Sequence, residues 1–393
     1  MRHNWNYKTI GDVCTSVTDG SHNPPKGIDK SDYRMISSQN IFDDNLILTD
    51  DSVRYLSKEN HIIEDKRTRL QKDVVLLTIV GTIGRACILT GNEGPLTLQR
   101  SVAALHPSEE ILPRFLLHTL IGNRTTLNQE AHGIAQKGLY LKQLSALRIP
   151  VPTIEEQQKI VSELDKINEL IRLKKEQLKD YDNLAQSIFY EMFGDPVVNE
   201  KGWEVKKLGE VAMIKTGPFG SMLHKEDYIT GGIPLINPMH IQNFKAVPDK
   251  YFTISKEKAA ELCNYQLKIN DVIFARRGDI GRCAVISDKE AGYLCGTGSL
   301  FVRFERKLSS IYTMYVVRTT SFIKELVSKA KGATMLNLNS STMENLRFPI
   351  PPLPLQQAFA QRIELIEQQK AEIQNTIADL KTLLASRMQY WFD

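Results

Sequence analysis

Side chains that can hydrogen-bond to the edges of nucleic-acid bases recur in the polar stretches of this chain. Arginine and lysine suit guanine, asparagine and glutamine suit adenine, and serine or threonine can serve either base. In the first half, the candidates are Ser21, His22, Lys26, Arg34, Ser37, Gln39, Asn40, Lys66, Arg67, Arg69 and Arg85. In the second half, they are Thr216, Ser221, Asn237, His240, Arg276, Arg277 and Arg282. The set predicts a DNA-binding surface, although each residue alone is also compatible with an ordinary solvated loop.

Motifs for catalysis are absent from the sequence. It contains no G-x-x-x-x-G-K-[ST] phosphate loop, no H-E-x-x-H and no G-x-S-x-G. The tetrapeptide from Asn23 to Lys26 is similar to the N-P-P-aromatic motif of amino-methyltransferases, which hold a flipped adenine against an aromatic ring. Lys26 replaces that ring, so the stacking partner is missing. We predict no catalytic residues, and a stand-alone adenine-N6 methyltransferase is kept as an alternative.

Composition argues against metal sites, cofactors and membranes. The five cysteines form no C-x-x-C pair, and the eight histidines lack metal-ligand spacing. The longest apolar stretch, 74–80, is too short to cross a bilayer, and the first residues lack the apolar core of a signal peptide. We therefore expect a cytoplasmic protein without metal, cofactor or membrane partner. A net charge of +4 is mild for a protein that grips DNA by charge alone.

The chain repeats itself. The opening W-x-x-x-x-[IL]-G-[DE]-V at Trp5 returns at Trp203, 198 residues later (203 − 5). The G-x-x-G at Gly81 returns at Gly278, and the P-x-P before Gln157-Gln158 returns before Gln356-Gln357. A period this long indicates a duplicated domain rather than a solenoid repeat.

The first part of each half predicts an α+β domain. Short β-branched runs bounded by Asp, Gly or Pro predict strands at 46–48, 74–80, 233–236 and 272–275. Apolar residues at helical spacing predict helices at 111–121 and 311–327. Each G-x-x-G follows a strand and precedes another apolar run, so a tight hairpin is favoured over a phosphate cradle.

The second part of each half predicts a long helix that begins after a proline run. Its apolar residues recur in steps of three and four, with polar interruptions at Lys174 and Lys370. The seam consists of Ile160, Leu164, Ile167, Ile171, Leu178, Phe359, Ile363, Ile366, Ile373, Ile377 and Leu380. Such helices reach about 55–60 Å. Their matched lengths favour an antiparallel pair, and the alternative is that each helix folds onto its own domain.

The domain boundaries follow from the repeat. We predict globular domains at 1–150 and 201–350, a helix with linker at 151–200 and a C-terminal helix at 351–393. Within this repeated framework the polar loops differ, as at Gln39-Asn40 and Met239-His240, which follow matching strands. The pattern predicts one scaffold that reads two different sequences.

These features together resemble the specificity (S) subunit of type I restriction–modification systems. The resemblance is carried by the duplicated openings, the 19–22 stretch Asp-Gly-Ser-His, the 217–221 stretch Gly-Pro-Phe-Gly-Ser, both hairpins and both helix starts. It implies two target-recognition domains that each contact one half of a split double-stranded DNA sequence through the major groove.

The resemblance also implies partners. The paired helices would act as a spacer and would dock two methyltransferase (M) subunits, and two restriction/translocase (R) subunits would join for restriction. The S subunit would itself be catalytically inert. One departure is that Arg387 and Trp391 stand where the first helix has Ile188 and Met192, so the two ends of the pair are expected to differ. A protein-binding assembly adaptor is the other alternative.

Overall fold

The computed structural model describes residues 5–132, 137–304, 308–330 and 337–392, apart from the side chain of Ser221. The chain forms two compact units, one of Met1–Lys175 with Asn375–Asp393 and the other of Glu176–Gln374. Each unit therefore holds one α+β region together with half of each long helix. The predicted α+β class is confirmed.

The strands of the first unit are β1 (Asn6–Thr9), β2 (Cys14–Asp19), β3 (Arg34–Ile36), β4 (Ile41–Phe42), β5 (Asn45–Leu46), β6 (Arg54–Tyr55), β7 (Val75–Thr78), β8 (Ala86–Ile88), β9 (Leu96–Leu98), β10 (Val102–Pro107) and β11 (Arg148–Val151). Its helices are α1 (Ile10–Val13), α2 (Lys58–Thr68), α3 (Pro113–Gly122), α4 (Arg124–Gln129) and α5 (Leu141–Ala146), followed by α6 (Ile154–Phe193), which continues into the second unit. The main sheet is antiparallel in the order β2-β10-β7-β8. A smaller sheet, β6-β3-β9, contains one parallel pair.

The main sheet of the first unit is buried on both faces. Val75 and Leu77 of β7 belong to a core with Phe115 of α3, whereas Leu76, on the opposite face, belongs to a core with Ile36 of β3. Successive side chains of a strand point to opposite faces, so an unbroken apolar run is what a doubly covered strand requires.

The second unit repeats this plan. Its strands are β12 (Glu204–Lys207), β13 (Ala212–Thr216), β14 (Tyr228–Ile229), β15 (Ile233–Ile236), β16 (Ile241–Gln242), β17 (Lys245–Ala246), β18 (Thr253–Ile254), β19 (Val272–Ala275), β20 (Cys283–Val285), β21 (Leu294–Cys295), β22 (Ser299–Phe304) and β23 (Arg347–Ile350). Its helices are α7 (Lys256–Glu261), α8 (Ser310–Arg318), α9 (Thr320–Lys329), α10 (Ser340–Glu344) and α11 (Leu353–Phe392), the last of which ends in the first unit. The sheet order β13-β22-β19-β20 matches that of the first unit.

Two sequence expectations need correction, and one is confirmed. The predicted helix at 311–327 is two helices, because Thr319 adopts an extended conformation and its hydroxyl caps α9 by accepting from the Phe322 amide. The strand predicted at 46–48 is only the two-residue β5. Both G-x-x-G segments are hairpin turns, with φ of +82° at Gly81 and +78° at Gly278.

The long helices α6 and α11 have 40 residues each and run antiparallel. In the first unit, Glu163 near the start of α6 pairs with Arg387 near the end of α11. In the second unit, Lys370 lies 2.9 Å from Asp182. The predicted antiparallel pairing is confirmed, and each half-helix also packs on the domain of its own unit.

Seam residues are buried in both helices. Those with almost no exposure are Ile160, Leu164, Ile167, Ile171, Phe359, Ile363, Ile366, Ile373 and Ile377, and Leu178 and Leu380 are half-buried. A glutamine near the start of each helix is also fully buried. Gln157 Oε1 accepts from the Leu112 amide at 2.8 Å, and Gln356 Oε1 accepts from the Ser309 amide at 2.7 Å. The repeated glutamine thus fixes each helix start against its own domain.

The two units finish the helix pair differently, as the substitutions at 387 and 391 suggested. In the first unit, Trp391 stacks on Trp5 with ring centroids 6.0 Å apart. In the second unit, Phe189 and Phe193 meet Phe359, with ring centroids 5.7 and 5.3 Å from that of Phe359.

None of the described helices combines the length and hydropathy needed to cross a membrane.

The aromatic cluster of the second unit generates a stability prediction. Phe189 is fully buried and lies against Tyr312, Tyr315 and Phe359. Phe189→Ala should lower the free energy of unfolding by about 3–5 kcal/mol, because a large cavity replaces the ring. Leu184→Ala on the same helix is the control, since Leu184 is 47% exposed. Denaturant titration measures both variants, and equal losses would contradict this account of the cluster.

Candidate nucleic-acid interface

The candidate loops of the first unit converge at one edge of its main sheet, where β2 and β7 end and β10 begins. The Ser21 amide donates to the Leu98 carbonyl at 2.8 Å. The Ser38 amide donates to Ser101 Oγ at 3.0 Å, and the Ile79 amide donates to the Ser101 carbonyl at 2.9 Å. Four chain segments that are distant in sequence are therefore tied together at this edge, which we call the first recognition edge.

The second unit ties the equivalent segments together at the ends of β13 and β19, and we call this the second recognition edge. The Gly217 amide donates to the Ser299 carbonyl at 3.0 Å, and the Arg276 amide donates to the Gly298 carbonyl at 3.0 Å. A Cβ on Gly298 would lie 2.9 Å from Pro238 Cδ, so the turn after β15 also lies against this edge.

Each recognition loop leaves its strand at a glycine that another segment crosses at very short range. A Cβ on Gly20 would lie 2.2 Å from the Leu98 carbonyl oxygen, and one on Gly217 would lie 1.9 Å from the Gly296 carbonyl oxygen. Only glycine permits such an approach of two backbones. The crossing fixes where each loop begins.

Asp19 holds two exposed side chains at the first recognition edge. Its carboxylate is buried, and it pairs with Arg67 through one oxygen and lies 2.7 Å from His22 Nε2 through the other. Arg67 Nε also donates to the Asp19 carbonyl at 2.8 Å. The side chains of His22 and Arg67 are nevertheless 57% and 49% exposed. Charge-assisted bonds of this kind orient a side chain without withdrawing it from a ligand.

The remaining candidates of the first unit differ in solvent exposure and in the contacts of their side chains. Lys26, Lys66 and Arg69 are exposed. Gln39 is also exposed, but its Nε2 donates to the Ser52 carbonyl at 2.7 Å. Arg85, the last residue of the turn between β7 and β8, lies with its guanidinium carbon 5.0 Å from the centre of the Phe42 ring.

Three other candidates of the first unit are less accessible. Ser21 is buried and Ser37 is half-buried at the first recognition edge. Arg34 starts β3, and its amide donates to the Pro95 carbonyl just before β9. Because β9 reaches the edge at its other end, Arg34 is not brought together with the other candidates.

Two candidates have structural roles. Asn40 is fully buried, and its side chain accepts from the Ser37 amide at 2.9 Å and donates to the Ile47 carbonyl at 3.0 Å. His240 is also buried, with Nδ1 3.1 Å from the Asn237 amide nitrogen, and burial lowers its pKa. Both residues close a 3₁₀ turn that follows a strand, so we leave them out of the proposed DNA-contacting set.

The arginines of the second recognition edge have separate surroundings. Arg276 is half-buried, and its Nε donates to the Leu338 carbonyl at 3.0 Å. Burial lowers the pKa of Arg276, and the positive charge of Arg277 lowers it further. Arg277 is exposed and makes no side-chain hydrogen bond or ion pair within the described ranges. Arg282 lies 3.3 Å from Asp279.

Three candidates of the second unit remain. Thr216, the last residue of β13, and Asn237, which precedes a 3₁₀ turn, are both half-buried. The side chain of Ser221 lies outside the described residues.

Two residues with the geometry of contacts were missed from sequence. Arg100 is exposed between β9 and β10, where its amide donates to the Ser21 carbonyl at 2.9 Å. Phe219 is 59% exposed just beyond the Gly217 crossing. The available signal was the alignment of the two halves, which places both residues in segments flanking the paired strands.

Metal chemistry finds no support at either edge. Across 5–132, 137–304, 308–330 and 337–392, no group of three or more His, Cys, Asp or Glu side chains is placed to hold a metal ion. What both edges offer is hydrogen-bond donors and positive charge on loops, the means of contacting base edges and phosphates.

Comparison with known proteins gives a consistent result. Residues 2–180 and 200–381 match the family described as "Type I restriction modification DNA specificity domain". The chain is 25% identical over 357 residues to the type I restriction enzyme MjaIX specificity subunit of Methanocaldococcus jannaschii, a match that covers 84% of this chain and 80% of the relative.

Solved structures share the fold. A chain from a study of complex assembly and conformational transition of the type I R-M system aligns with a TM-score of 0.61 at 18% identity, covering 99% of this chain and 97% of that one. The type I restriction–modification S subunit from M. genitalium aligns with a TM-score of 0.53 at 14% identity, covering 100% and 97%.

Proposed function

This chain belongs to the type I restriction–modification DNA specificity family, and we propose that its two recognition edges read the two halves of a split DNA target. It is the DNA-recognition subunit of a type I restriction–modification complex and not the catalytic one. In this proposal the target-recognition domains are 1–150 and 201–350, with the long helices as the spacer between them.

The observation that carries the proposal is a shared backbone plan at the two edges with different exposed side chains. Both units repeat the glycine crossing and the strand order. At the first edge, the exposed groups include His22, Arg67 and Arg100, whereas the second edge presents Phe219 and Arg277. Two surfaces of one shape and unlike chemistry are suited to two different base sequences.

Among the candidates, we assign base contacts to exposed side chains at the edges and phosphate contacts to the basic residues around them. His22, Arg100 and Arg277 fall in the first group, and Lys26, Lys66 and Arg69 fall in the second. Phosphate contacts set affinity and orientation but carry little sequence information. The mild net charge suits a subunit whose partners add further phosphate contacts.

We further propose that the long helices dock two methyltransferase subunits, with two restriction/translocase subunits joining the complex. The seam residues of both helices are buried or half-buried, so other side chains must form the docking surface. Exposed leucines form the surface available to a partner helix: Leu170, Leu173 and Leu383 in the first unit, and Leu184 and Leu365 in the second. Apolar side chains three residues apart, such as Leu170 and Leu173, are the kind of anchors that a helix-in-groove contact uses.

Neither alternative gains support. A stand-alone adenine-N6 methyltransferase would need an aromatic partner in place of Lys26, which is exposed on its loop. A pure assembly adaptor would not account for the exposed arginines Arg67, Arg100 and Arg277 at the two edges.

A first prediction separates base reading from structural support. In the complex with methyltransferase subunits, Arg277→Ala should weaken specific binding by about 1–3 kcal/mol and relax one position of the second half-site. Arg276→Ala should instead lower thermal stability, because the Leu338 carbonyl loses its donor. Binding to single-base variants at two salt concentrations measures the first effect, and thermal melting measures the second.

The matched control for this prediction is Arg347→Ala, which removes the same charge from an exposed position on β23. If Arg277 touches only phosphate, binding to every sequence should fall together and the salt slope should shrink by about one. If Arg277→Ala changes neither the relative affinities for the single-base variants nor the salt slope, Arg277 is not part of the recognition surface.

A second prediction tests the spacer role. Inserting one heptad after Lys174, with a matching heptad after Gln374 to keep both seams in step, lengthens each helix by about 10.5 Å. The non-specific gap in the target should grow by roughly three base pairs at about 3.4 Å each. Sequencing of the methylated sites reads the gap, and an unchanged gap with both half-sites intact would show that the helices do not set it.

A further inference from the structure

Phe219 and His22 occupy equivalent positions in the two units. Each stands two residues after the crossing glycine, which in turn follows the last residue of β2 or β13. Both are ring side chains, and both residues are exposed. The scaffold thus presents a ring at one fixed place and varies its chemistry.

A second pair of equivalent positions also has a polar side chain in the first unit and an apolar one in the second. Gln39 and Met239 lie in the middle of equivalent 3₁₀ turns, Ser38–Asn40 and Pro238–His240. Gln39 is exposed, and Met239 is 54% exposed. At both places, a side chain that can hydrogen-bond in the first unit is replaced by an apolar one in the second. Both turns lie at their recognition edges. Ser38 is hydrogen-bonded to Ser101 in the first unit, and Pro238 lies against Gly298 in the second.

The backbone crossing at Gly217 fixes the chain just before Phe219, so that the Phe219 ring stays exposed. The Gly217 amide is bonded to the Ser299 carbonyl, and Pro218 is buried, so the chain is fixed immediately before the ring. A single exposed apolar residue needs no explanation on a general surface. Two exposed apolar side chains on loops fixed at a recognition edge do need an explanation. They stand on the same surface as the side chains proposed to contact DNA.

We propose that Phe219, assisted by Met239, reads the second half-site by apolar contact with the C5-methyl group of a thymine in the major groove. The methyl group is the feature of that groove that apolar side chains recognise. At the first recognition edge, His22 and Gln39 would meet base edges by hydrogen bonding. Nε2 of His22 is engaged with Asp19, which leaves Nδ1 for the base. This inference rests on the proposed function, since it assigns specificity within the same two edges.

The test pairs a protein change with a DNA change. The full chain, reconstituted with its methyltransferase subunits, is bound to duplexes in which each thymine of the target is replaced singly by deoxyuridine, which lacks only the methyl group. At one position of the second half-site, wild-type binding should fall about fourfold, as expected for one buried methyl group. Phe219→Ala should bind the thymine and deoxyuridine duplexes equally at that position. Phe219→Leu should retain part of the difference.

Two controls make the result specific. Ile269→Ala removes an apolar side chain that is 56% exposed just before β19, at the opposite end of that strand from the second recognition edge, and should keep the full thymine preference. Replacing thymines in the first half-site should affect wild type and Phe219→Ala alike. Melting temperatures of the variants should equal that of the wild type, because the Phe219 ring is exposed.

The possible failures are distinguishable. If the wild-type complex shows no preference for any sequence, the proposed function fails. If that preference is intact but Phe219→Ala retains the wild-type response to deoxyuridine at every position, or the second half-site contains no thymine, the proposed function stands and the assignment of Phe219 is overturned.

Discussion

The two recognition edges depend on one backbone constraint, the crossing of a loop over a strand end at Gly20 and at Gly217. No side chain fits there, because a Cβ would lie within 2.2 Å of a carbonyl group in either unit. In the first unit, the crossing brings the segment after β2 against the segment between β9 and β10. In the second unit, it brings the segment after β13 against the segment between β21 and β22. Loops from separate parts of the chain therefore share one edge. Whatever follows the glycine is held in a fixed place. The side chains just beyond it can therefore differ between units without disturbing the sheet below.

A second constraint fixes the long helices to the two domains. Gln157 and Gln356 are fully buried, and each accepts a hydrogen bond from the amide that precedes or opens a helix of its own domain. The long helices are thereby joined to the domains at the residues where they begin. Their apolar seams are buried by the helix pairing and by the domain cores together. Each half-helix is thus fixed to the domain of its own unit, as the proposed spacer role requires.

The sequence predicted most of what depends on period and repetition, and less of what depends on tertiary partners. Heptad spacing identified the buried seam, and the G-x-x-G segments identified both hairpins. The break at Thr319 was missed because a capping hydroxyl does not interrupt an apolar period. Asn40 and His240 are left out of the proposed contact set because their side chains bond to backbone groups of their own turn, a role that residue type alone does not reveal. Arg100 and Phe219 were missed because their places at the edges depend on how the fold ties the loops together, although the alignment of the two halves placed both beside paired strands.

If one scaffold reads two independent half-sites, exchanging residues 1–150 for the equivalent region of a related specificity subunit should change only one of them. The measurement is the sequence context of every methylated adenine in DNA from cells that carry the hybrid. We expect one half of the recognised sequence to be replaced by that of the donor while the other half is unchanged. A change in both halves would contradict this expectation, because the two edges would then not act as separate readers.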